Sequence, residues 1–568
     1  MEELIWRASM NGRQVTTESV PPGWQRLGGR GLIPRVLLEE VPPTCDPLGP
    51  FNKLIWAPGL LGGHMISSCD RISVGGKSPL TGGVKESNAG GSTGLKLARL
   101  GIKALILEGA TDNDNWWLLH LSSEGGRFEP ADDLAGLGVY QAAKFLLKRF
   151  GPKVGAALIG PGGEMELRAA GIYNLDQNRE PSRVNARGGL GAVMGSKRLK
   201  AIVIEASGGQ KPPIAHPQAF RQAQKEFNTA LMEHPQTQVY ADYGTAAMTS
   251  LGNSLGSLPT RNFSSGQIEG AERISGEYMR QLLLERGGES ETTHACMAGC
   301  IIRCSNTFGD ADGKAIVSPL EYETIGLMGS NLGITDLDTI AHLNWELNDL
   351  GLDAIEIGAA LGVAADAGIM EFGDGTRALE LLAEIRASTS LGWVLGNGAA
   401  VTGRVLRVKR VPVVKGQAMA AYDPRAIKGT GVTYATSPQG ADHTAGNTIR
   451  AQVNHLNPQG QAALSRAAQI SRAGYDTLGA CTFSGFGFAK APGAIRDLLN
   501  ARYGWQVGDD ILQQLGRATL TLEREFNRRA GFTPADDRLP EWMTQEPLPP
   551  HNTVFDVPEA DLDDVFNW

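Results

Sequence analysis

The sequence predicts an α+β chain in which a β-rich N-terminal domain is followed by two mostly α-helical domains. Three observations carry this expectation. Up to about residue 205 the apolar residues come in short runs closed by glycine pairs: "KLIWAPGLLGG", "DRISVGGKSPLTGG", "KALILEGA", "WWLLHLSS", "VGAALIGPGG" and "LKAIVIEASGG". Runs of roughly four to eight residues between turn formers read as strands. The stretch "GGQKPPIAHP" (208–217) then gathers Pro212, Pro213 and Pro217 into a linker. Beyond it the apolar residues take helical spacing, as in "HPQAFRQAQKEFNTALME", "DTIAHLNWELNDLGLDAIEIGAALGVAADAG" and "GTRALELLAEIRAST". A second break near "KRVPVVKGQAMAAYDPRAIKG" (409–429) divides the helical part, so the expected domains are 1–207, 208–410 and 411–568. There is no internal repeat of solenoid length and no low-complexity tract.

With 568 residues the chain exceeds one ordinary core and is long enough to bury a large cofactor. Its 73 glycines are nearly twice the usual share of about 7%, so the backbone turns tightly or approaches something closely in many places. A net charge of -8, from 53 basic against 61 acidic residues, argues against nucleic-acid binding. The N-terminus, "MEELIWRASMNG", lacks the basic segment and apolar run of a signal peptide. The most apolar stretch, "AIEIGAALGVAADAGIM", is interrupted by Glu356 and Asp366 and is no membrane span. A cytoplasmic location is therefore the expectation, and in a reducing compartment closely spaced cysteines bind metal or do redox chemistry more often than they form disulfides.

Three of the six cysteines, Cys296, Cys300 and Cys304, stand in one stretch, "THACMAGCIIRCSN" (293–306). On a straight helix the first and last would be about 12 Å apart along the axis, too far for ligands of one small group. Gly299 frees the backbone to turn and gather the thiols. Close cysteines with a distant fourth fit an iron–sulfur cluster, and Cys45, Cys69 and Cys481 are the candidates for that fourth ligand. Two other readings stay open here. A structural zinc site would show paired C-x2-4-C spacings or a mixture with histidine, and free cysteines are commonly buried without any ligand. A radical cluster of the S-adenosylmethionine type would want C-x3-C-x2-C, whereas here the second gap is also three.

Several glycine-rich loops carry Arg, Asn or Lys: "LGGRGLIPR" (27–35), "DRISVGGKSPLTGGVKESNAGGSTG" (70–94) and "NARGGLGAVMGSKRLKAI" (185–202). Exposed backbone N–H groups beside a guanidinium suit an anion such as phosphate, although any one loop is also readable as a plain β-turn. A dinucleotide fingerprint is incomplete in "GGLGAVMGSK" (188–197), where Met194 holds the third glycine position.

In order, and over nearly the whole chain, "GGRGL", "DPLGPFNKLIWAPG", "KSPLTGG…ESNAGG", "ARGGLGAVMGSKRLKAI", "EYETIGLMGSNLGI", "AYDPR" and "DTLGAC" resemble the tungsten-containing aldehyde ferredoxin oxidoreductase family. The resemblance implies an N-terminal β domain facing a tungsten or molybdenum held by two pterin dithiolenes. Two helical domains would close over it beside a [4Fe-4S] cluster. It places the cluster ligands at Cys296, Cys300, Cys304 and Cys481, with C-x3-C standing where the family has C-x2-C and Ala480 where it has Leu. It places pterin contacts at Asp476 in "DTLGAC" (476–481) and at Asn348 and Asp353 in "NDLGLD" (348–353). Asn348 replaces an aspartate of the family; its carbonyl oxygen still accepts from an amino group, without charge assistance. Asn88, Gly90, Ala186 and Arg187 fall where the family binds the pterin phosphates and their bridging Mg2+, and Arg71 where a cation sits between pterin and cluster.

The implied reaction is oxidation of an aldehyde to the carboxylic acid with water as oxygen donor, electrons leaving through the cluster to ferredoxin or an Fe–S partner subunit. Glu323 in "EYET" and His443 in "GADHTAG" resemble the acid/base pair, with Glu321 as the neighbouring alternative. Outside that context His443 reads as a hydrogen-bonded loop residue and Glu323 as a helix start. Two alternative functions stand beside it: a same-fold oxidoreductase acting on a non-aldehyde substrate, and a pterin-less [4Fe-4S] electron-transfer subunit. An oligomer is compatible with each reading.

Overall fold

The apolar runs of the first 205 residues form two six-stranded sheets in the computed structural model, which describes residues 2–111 and 113–568. The first sheet contains β1 (Leu4–Ser9), β2 (Gln14–Ser19), β3 (Leu54–Pro58), β4 (Ile72–Lys77), β5 (Val84–Ala89) and β6 (Ile102–Glu108), in the order β2-β1-β6-β3-β4-β5. The second contains β7 (Trp117–Ser122), β8 (Gly125–Pro130), β9 (Gly155–Leu158), β10 (Ile172–Asn174), β11 (Arg183–Asn185) and β12 (Leu199–Glu205), in the order β8-β7-β12-β9-β10-β11. Each of the six quoted runs contributes one strand.

The two sheets have the same topology. In each, the first strand forms an antiparallel hairpin with the second and pairs in parallel with the sixth. After each hairpin a single 3-10 turn leads into a twelve-residue helix, Gly29–Glu40 in one half and Val139–Phe150 in the other. The sequence keeps a trace of this: "NAGGSTGLKLARLGIKALILE" (88–108) and "NARGGLGAVMGSKRLKAIVIE" (185–205) align without a gap, and their strands and helices coincide. One core lies between the sheets, where Trp56 and Leu105 of the first share a cluster with Leu119 and Ile202 of the second. The Gly29–Glu40 helix covers the outer face of the first sheet with Leu32, Ile33, Val36 and Leu37.

The amphipathic segments beyond the linker fold as helices, including Pro217–Met232 and Gly375–Arg386. The long run 338–368 is two helices, Leu337–Leu350 and Ala354–Asp366, because Gly351 (φ 80°) ends the first in a left-handed cap. Apolar cores do not follow chain order in this part. One joins residues between Ala246 and Ile449 to the C-terminal segment through Phe555 and Val565. Another packs Phe220, Phe227 and Leu231 against Leu478, Leu498 and Leu515. No helix among the described residues is long and apolar enough to cross a membrane.

Candidate active site between sheets and helices

Two helix C-termini dock on the doubled sheet domain in matching fashion. The Leu337–Leu350 and Gln461–Leu478 helices each end on a left-handed glycine, Gly351 and Gly479, two residues before Asp353 and Cys481. Gly479 O accepts from Arg71 N at 3.1 Å and Cys481 N donates to Ser68 O at 2.8 Å. In the other half Gly351 O accepts from Gly171 N at 3.0 Å and Asp353 N donates to Ala169 O at 2.9 Å. Glycine is required where the chains meet: a Cβ on Gly59 would fall 2.0 Å from Gly479 N, and one on Gly160 2.5 Å from Leu350 O. The last helical turns thus present Asp476 and Asn348 at equivalent positions of the two halves.

Cys296, Cys300 and Cys304 lie on the connection between the strands Glu291–His294 and Ser305–Gly309, where Gly299 takes φ +77°. Cys481 joins them. Cys296 interacts with Cys300, Cys304 and Cys481, and Cys304 also with Cys300 and Cys481. Burial, with the thiols of Cys296 and Cys481, pushes the Cys304 thiol well above its usual range. Ser68 Oγ stands 3.3 Å from Cys300 Sγ, and a Cβ on Gly90 would come within 3.1 Å of Cys296 Sγ. No three His, Cys, Asp or Glu side chains among the described residues are placed to hold a single metal ion. Four thiols around one crowded spot, kept open by Gly90, fit a polynuclear cluster with thiolate ligands. Cys69 is fully buried, its Sγ donating to Ser67 O at 3.3 Å, and Cys45 packs at the edge of the core under the Gly29–Glu40 helix.

The Arg71 guanidinium is close enough to Cys481, Cys296 and Asp476 for its charge to act on all three. Its Nε donates to Asn88 Oδ1 and its Nη2 to Asn88 O at 2.9 Å. In the other half Arg187 aligns with Gly90 and makes ion pairs instead of space. Its Nε lies 3.3 Å from Asp353 Oδ2 and its Nη2 3.8 Å from Glu356 Oε2, while Nη1 donates to Ala441 O at 2.8 Å. Ala186, its neighbour, packs against Gly171.

Glu323 lies in the helical turn Tyr322–Thr324, and its Oε1 lies 3.2 Å from His443 Nε2. Ala421 N donates to Glu323 Oε2 at 2.8 Å. Burial raises the Glu323 carboxyl above the ordinary range, with His443 opposing. Asp442, next to His443, is locked by Lys85 of β5, whose Nζ donates to Oδ2 at 2.6 Å, both side chains being buried. The Tyr422 ring lies 5.6 Å from that of His443. Glu321 points elsewhere: it is more exposed and 3.8 Å from Arg183 Nη1.

The structure therefore brings the proposed site residues together along one seam. It adds residues that sequence reasoning missed: Lys85, Asp442, Glu356, Arg30 and Glu86. Glu356 is fully buried, accepts from Ala399 N at 3.0 Å and Ala418 N at 2.9 Å, and is pushed up to about 7 by burial. Its signal was a carboxylate inside an otherwise apolar helix; that of Asp442 was its place beside His443. Arg30, Lys85 and Glu86 lie in the glycine-rich loops quoted above, but nothing local marked their buried partners. Several buried polar atoms along the seam, Glu86 Oε1, Gln417 Oε1, Tyr434 Oη and His443 Nδ1, find no hydrogen-bond partner among the described residues. Buried polar groups are normally satisfied, so this surface fits a polar cofactor or substrate held between sheets and helices.

Comparisons with known proteins agree with this arrangement. The family model described as "Aldehyde ferredoxin oxidoreductase, N-terminal domain" matches residues 5–206, and that for "domains 2 & 3" matches 222–566. Tungsten-containing aldehyde ferredoxin oxidoreductases of Thermococcus kodakarensis and Pyrococcus furiosus are each 33% identical over 92% of this chain and 88% of theirs. An aliphatic sulfonate oxidoreductase, WOR-like subunit, of Pyrococcus furiosus is 27% identical over 88% of this chain and 81% of its own. Among solved structures, the active site complex BamBC of benzoyl coenzyme A reductase with 1,5 dienoyl-CoA shares the fold. Its TM-score is 0.81 at 18% identity, over 99% of this chain and 93% of that one.

Proposed function

The chain belongs to the aldehyde ferredoxin oxidoreductase family of oxidoreductases, and from this premise we propose that it oxidises an aldehyde to the carboxylic acid with water as oxygen donor. The centre is a tungsten, or molybdenum, bis-pterin, and electrons leave through a [4Fe-4S] cluster to ferredoxin or an Fe–S partner subunit. The observation that carries this is Glu323 Oε1 at 3.2 Å from His443 Nε2, in the same seam as a group of four neighbouring cysteines.

When bound, the metal–pterin group supplies the two-electron step that no side chain performs. Asp476, Asn348, Asp353, Arg187 and Asn88, with Gly90 and Ala186, would hold the pterins and their Mg2+; Cys296, Cys300, Cys304 and Cys481 would hold the cluster. Glu323 and His443 move protons. Because Ala421 N occupies Oε2, the exchangeable oxygen of Glu323 is Oε1, which faces His443 Nε2. The raised carboxyl keeps a proton available closer to neutral pH than an exposed glutamate would. Lys85 and Asp442 fix the loop that carries His443, and the rings of Tyr322 and Tyr422 wall the pocket and limit water.

The test is metal and pterin analysis of protein purified without oxygen, followed by assay against a panel of aldehydes with a viologen dye. About four iron and one tungsten or molybdenum per chain, with aldehyde-dependent dye reduction, is the expected result. Iron without either heavy metal or pterin refutes the proposal in favour of an electron-transfer subunit. A second reading, the same centre acting on a non-aldehyde substrate, is favoured by the sulfonate-oxidising relative. It predicts full metal content with no aldehyde activity.

A further inference from the structure

Two adjacent serines hold both cysteine-bearing segments of the thiol site. The chain from Gly63 to Asp70 is closed on itself by the Asp70 carboxylate, which accepts from Gly63 N at 2.6 Å and from Met65 N at 3.0 Å. Within it Ser67 and Ser68 are each 1% exposed. Ser67 Oγ accepts from Ile301 N at 3.0 Å, and Ser68 O accepts from Cys481 N at 2.8 Å. Ser68 Oγ lies 3.3 Å from Cys300 Sγ and 3.4 Å from Ser67 Oγ. Ser68 takes φ +61°, in the left-handed region that non-glycine residues rarely adopt and that is found most often at functional positions.

The order of protons along this row follows from what each group can give. The Ile301 N–H donates to Ser67 Oγ, which leaves the Ser67 hydroxyl proton for Ser68 Oγ. The Ser68 proton is then left for Cys300 Sγ. A cysteine that ligates a metal does so as the thiolate, which has no proton to offer, so in the loaded protein the hydroxyl is the donor. Both serines are shut off from water, where a hydrogen bond to a charged acceptor gains strength. The other half of the doubled domain supplies an internal comparison. There the residue whose carbonyl accepts from Asp353 N, at 2.9 Å, is Ala169. The docking contact therefore does not need a hydroxyl, and the half that carries the thiols has one.

We infer that Ser68 sets the reduction potential of the electron-transfer centre: its hydroxyl donates to the Cys300 thiolate and stabilises the reduced state. Reduction adds one electron, and a donor fixed on a ligand sulfur favours the more negative state. The electron comes from the aldehyde oxidation and leaves to ferredoxin or the Fe–S partner. No bond forms or breaks, and the proton stays on Ser68 Oγ. Ser68 thus acts through Cys300 and does not touch the substrate.

This inference rests on the [4Fe-4S] reading above, and its readout is a potential rather than a rate. Wild type, Ser68→Ala and Ser68→Gly are purified without oxygen and titrated against redox dyes, the reduced cluster being followed by electron paramagnetic resonance. Iron per chain and melting temperature are measured on each. In both variants the ratio of reduced to oxidised cluster at a fixed potential is expected to fall about tenfold, a midpoint about 59 mV lower for one electron. Iron per chain is expected to stay unchanged. Ser68→Gly also relieves the left-handed backbone, so its melting temperature is expected to rise while its potential falls, a combination that a purely structural role would not give. An unchanged or higher midpoint in either variant overturns this inference alone. So does loss of the cluster from Ser68→Gly, which would make Ser68 a structural residue. Wild-type protein without an iron–sulfur signal refutes both this inference and the [4Fe-4S] reading. Should Ser68→Ala fail to fold, the glycine variant decides.

Discussion

Glu323 and His443 are far apart in sequence yet face each other at 3.2 Å, and the consequence is specific to the atoms involved. Glu323→Gln keeps the size and the Ala421 contact but cannot exchange a proton. We expect kcat to fall about 10²- to 10⁴-fold, with little change in melting temperature, in the aldehyde–viologen assay; an unchanged kcat would remove Glu323 from the reaction. Glu86 makes a pH-dependent prediction. Its carboxyl is buried near Asp476, which pushes its folded pKa up to about 8 from an ordinary 4.5. A raised folded pKa means that the protonated form stabilises the fold; this contribution is complete below about 4.5 and lost as pH rises through about 8. Glu86→Gln should therefore melt above wild type at pH 8.5 and converge with it near pH 5. Equal gaps at both pH values would show that Glu86 titrates normally. Residues of this kind mark the boundary of what the sequence discloses. Glu323, His443 and the cysteines stand in recognisable motifs, and Arg30, Lys85 and Glu86 in the quoted glycine-rich loops, but the buried partners of the latter three become visible only when distant strands and helices deliver them.

Strand and helix types were largely legible because period and punctuation encode them. All six glycine-bounded runs are strands, and the three quoted amphipathic stretches are helical, one of them split at Gly351. How elements dock was not legible, since it depends on backbone approach. Gly59 and Gly160 show this: each lets a β-strand end meet a helix C-cap with no side chain between them. Gly59→Ala and Gly160→Ala are each expected to cost about 1–3 kcal/mol or more, because backbone rather than a flexible side chain must move. The check is denaturant unfolding beside Gly23→Ala, whose Cβ would meet nothing within 4 Å and which should leave the midpoint in place. Gly59→Ala should also disturb the group of four thiols, since Gly479 and Cys481 follow the same docking contact.

At the scale of the whole molecule, the two sheets repeat one topology, and the repeat receives two matching helix ends. The halves then diverge: Cys481 and Gly90 open a thiol site on one side, while Asp353 and Arg187 close an ion pair on the other. A cluster held by Cys481 together with Cys296, Cys300 and Cys304 would tie parts of the chain that are distant in sequence, so its ligands would also be folding contacts. Cys481→Ser should lower iron per chain and the melting temperature together; a full, unaltered cluster would exclude Cys481 as the fourth ligand. By itself the sequence determined the α+β class, the β-rich start and the family, because hydrophobic period, glycine punctuation and short motifs are local properties of a chain. Only the tertiary structure decided that the β domain is a doubled unit, which helices share a core, and which buried charges meet across the seam. Those depend on contacts between distant segments, where close backbone approach and desolvated ion pairs are set by packing and leave little trace in local sequence.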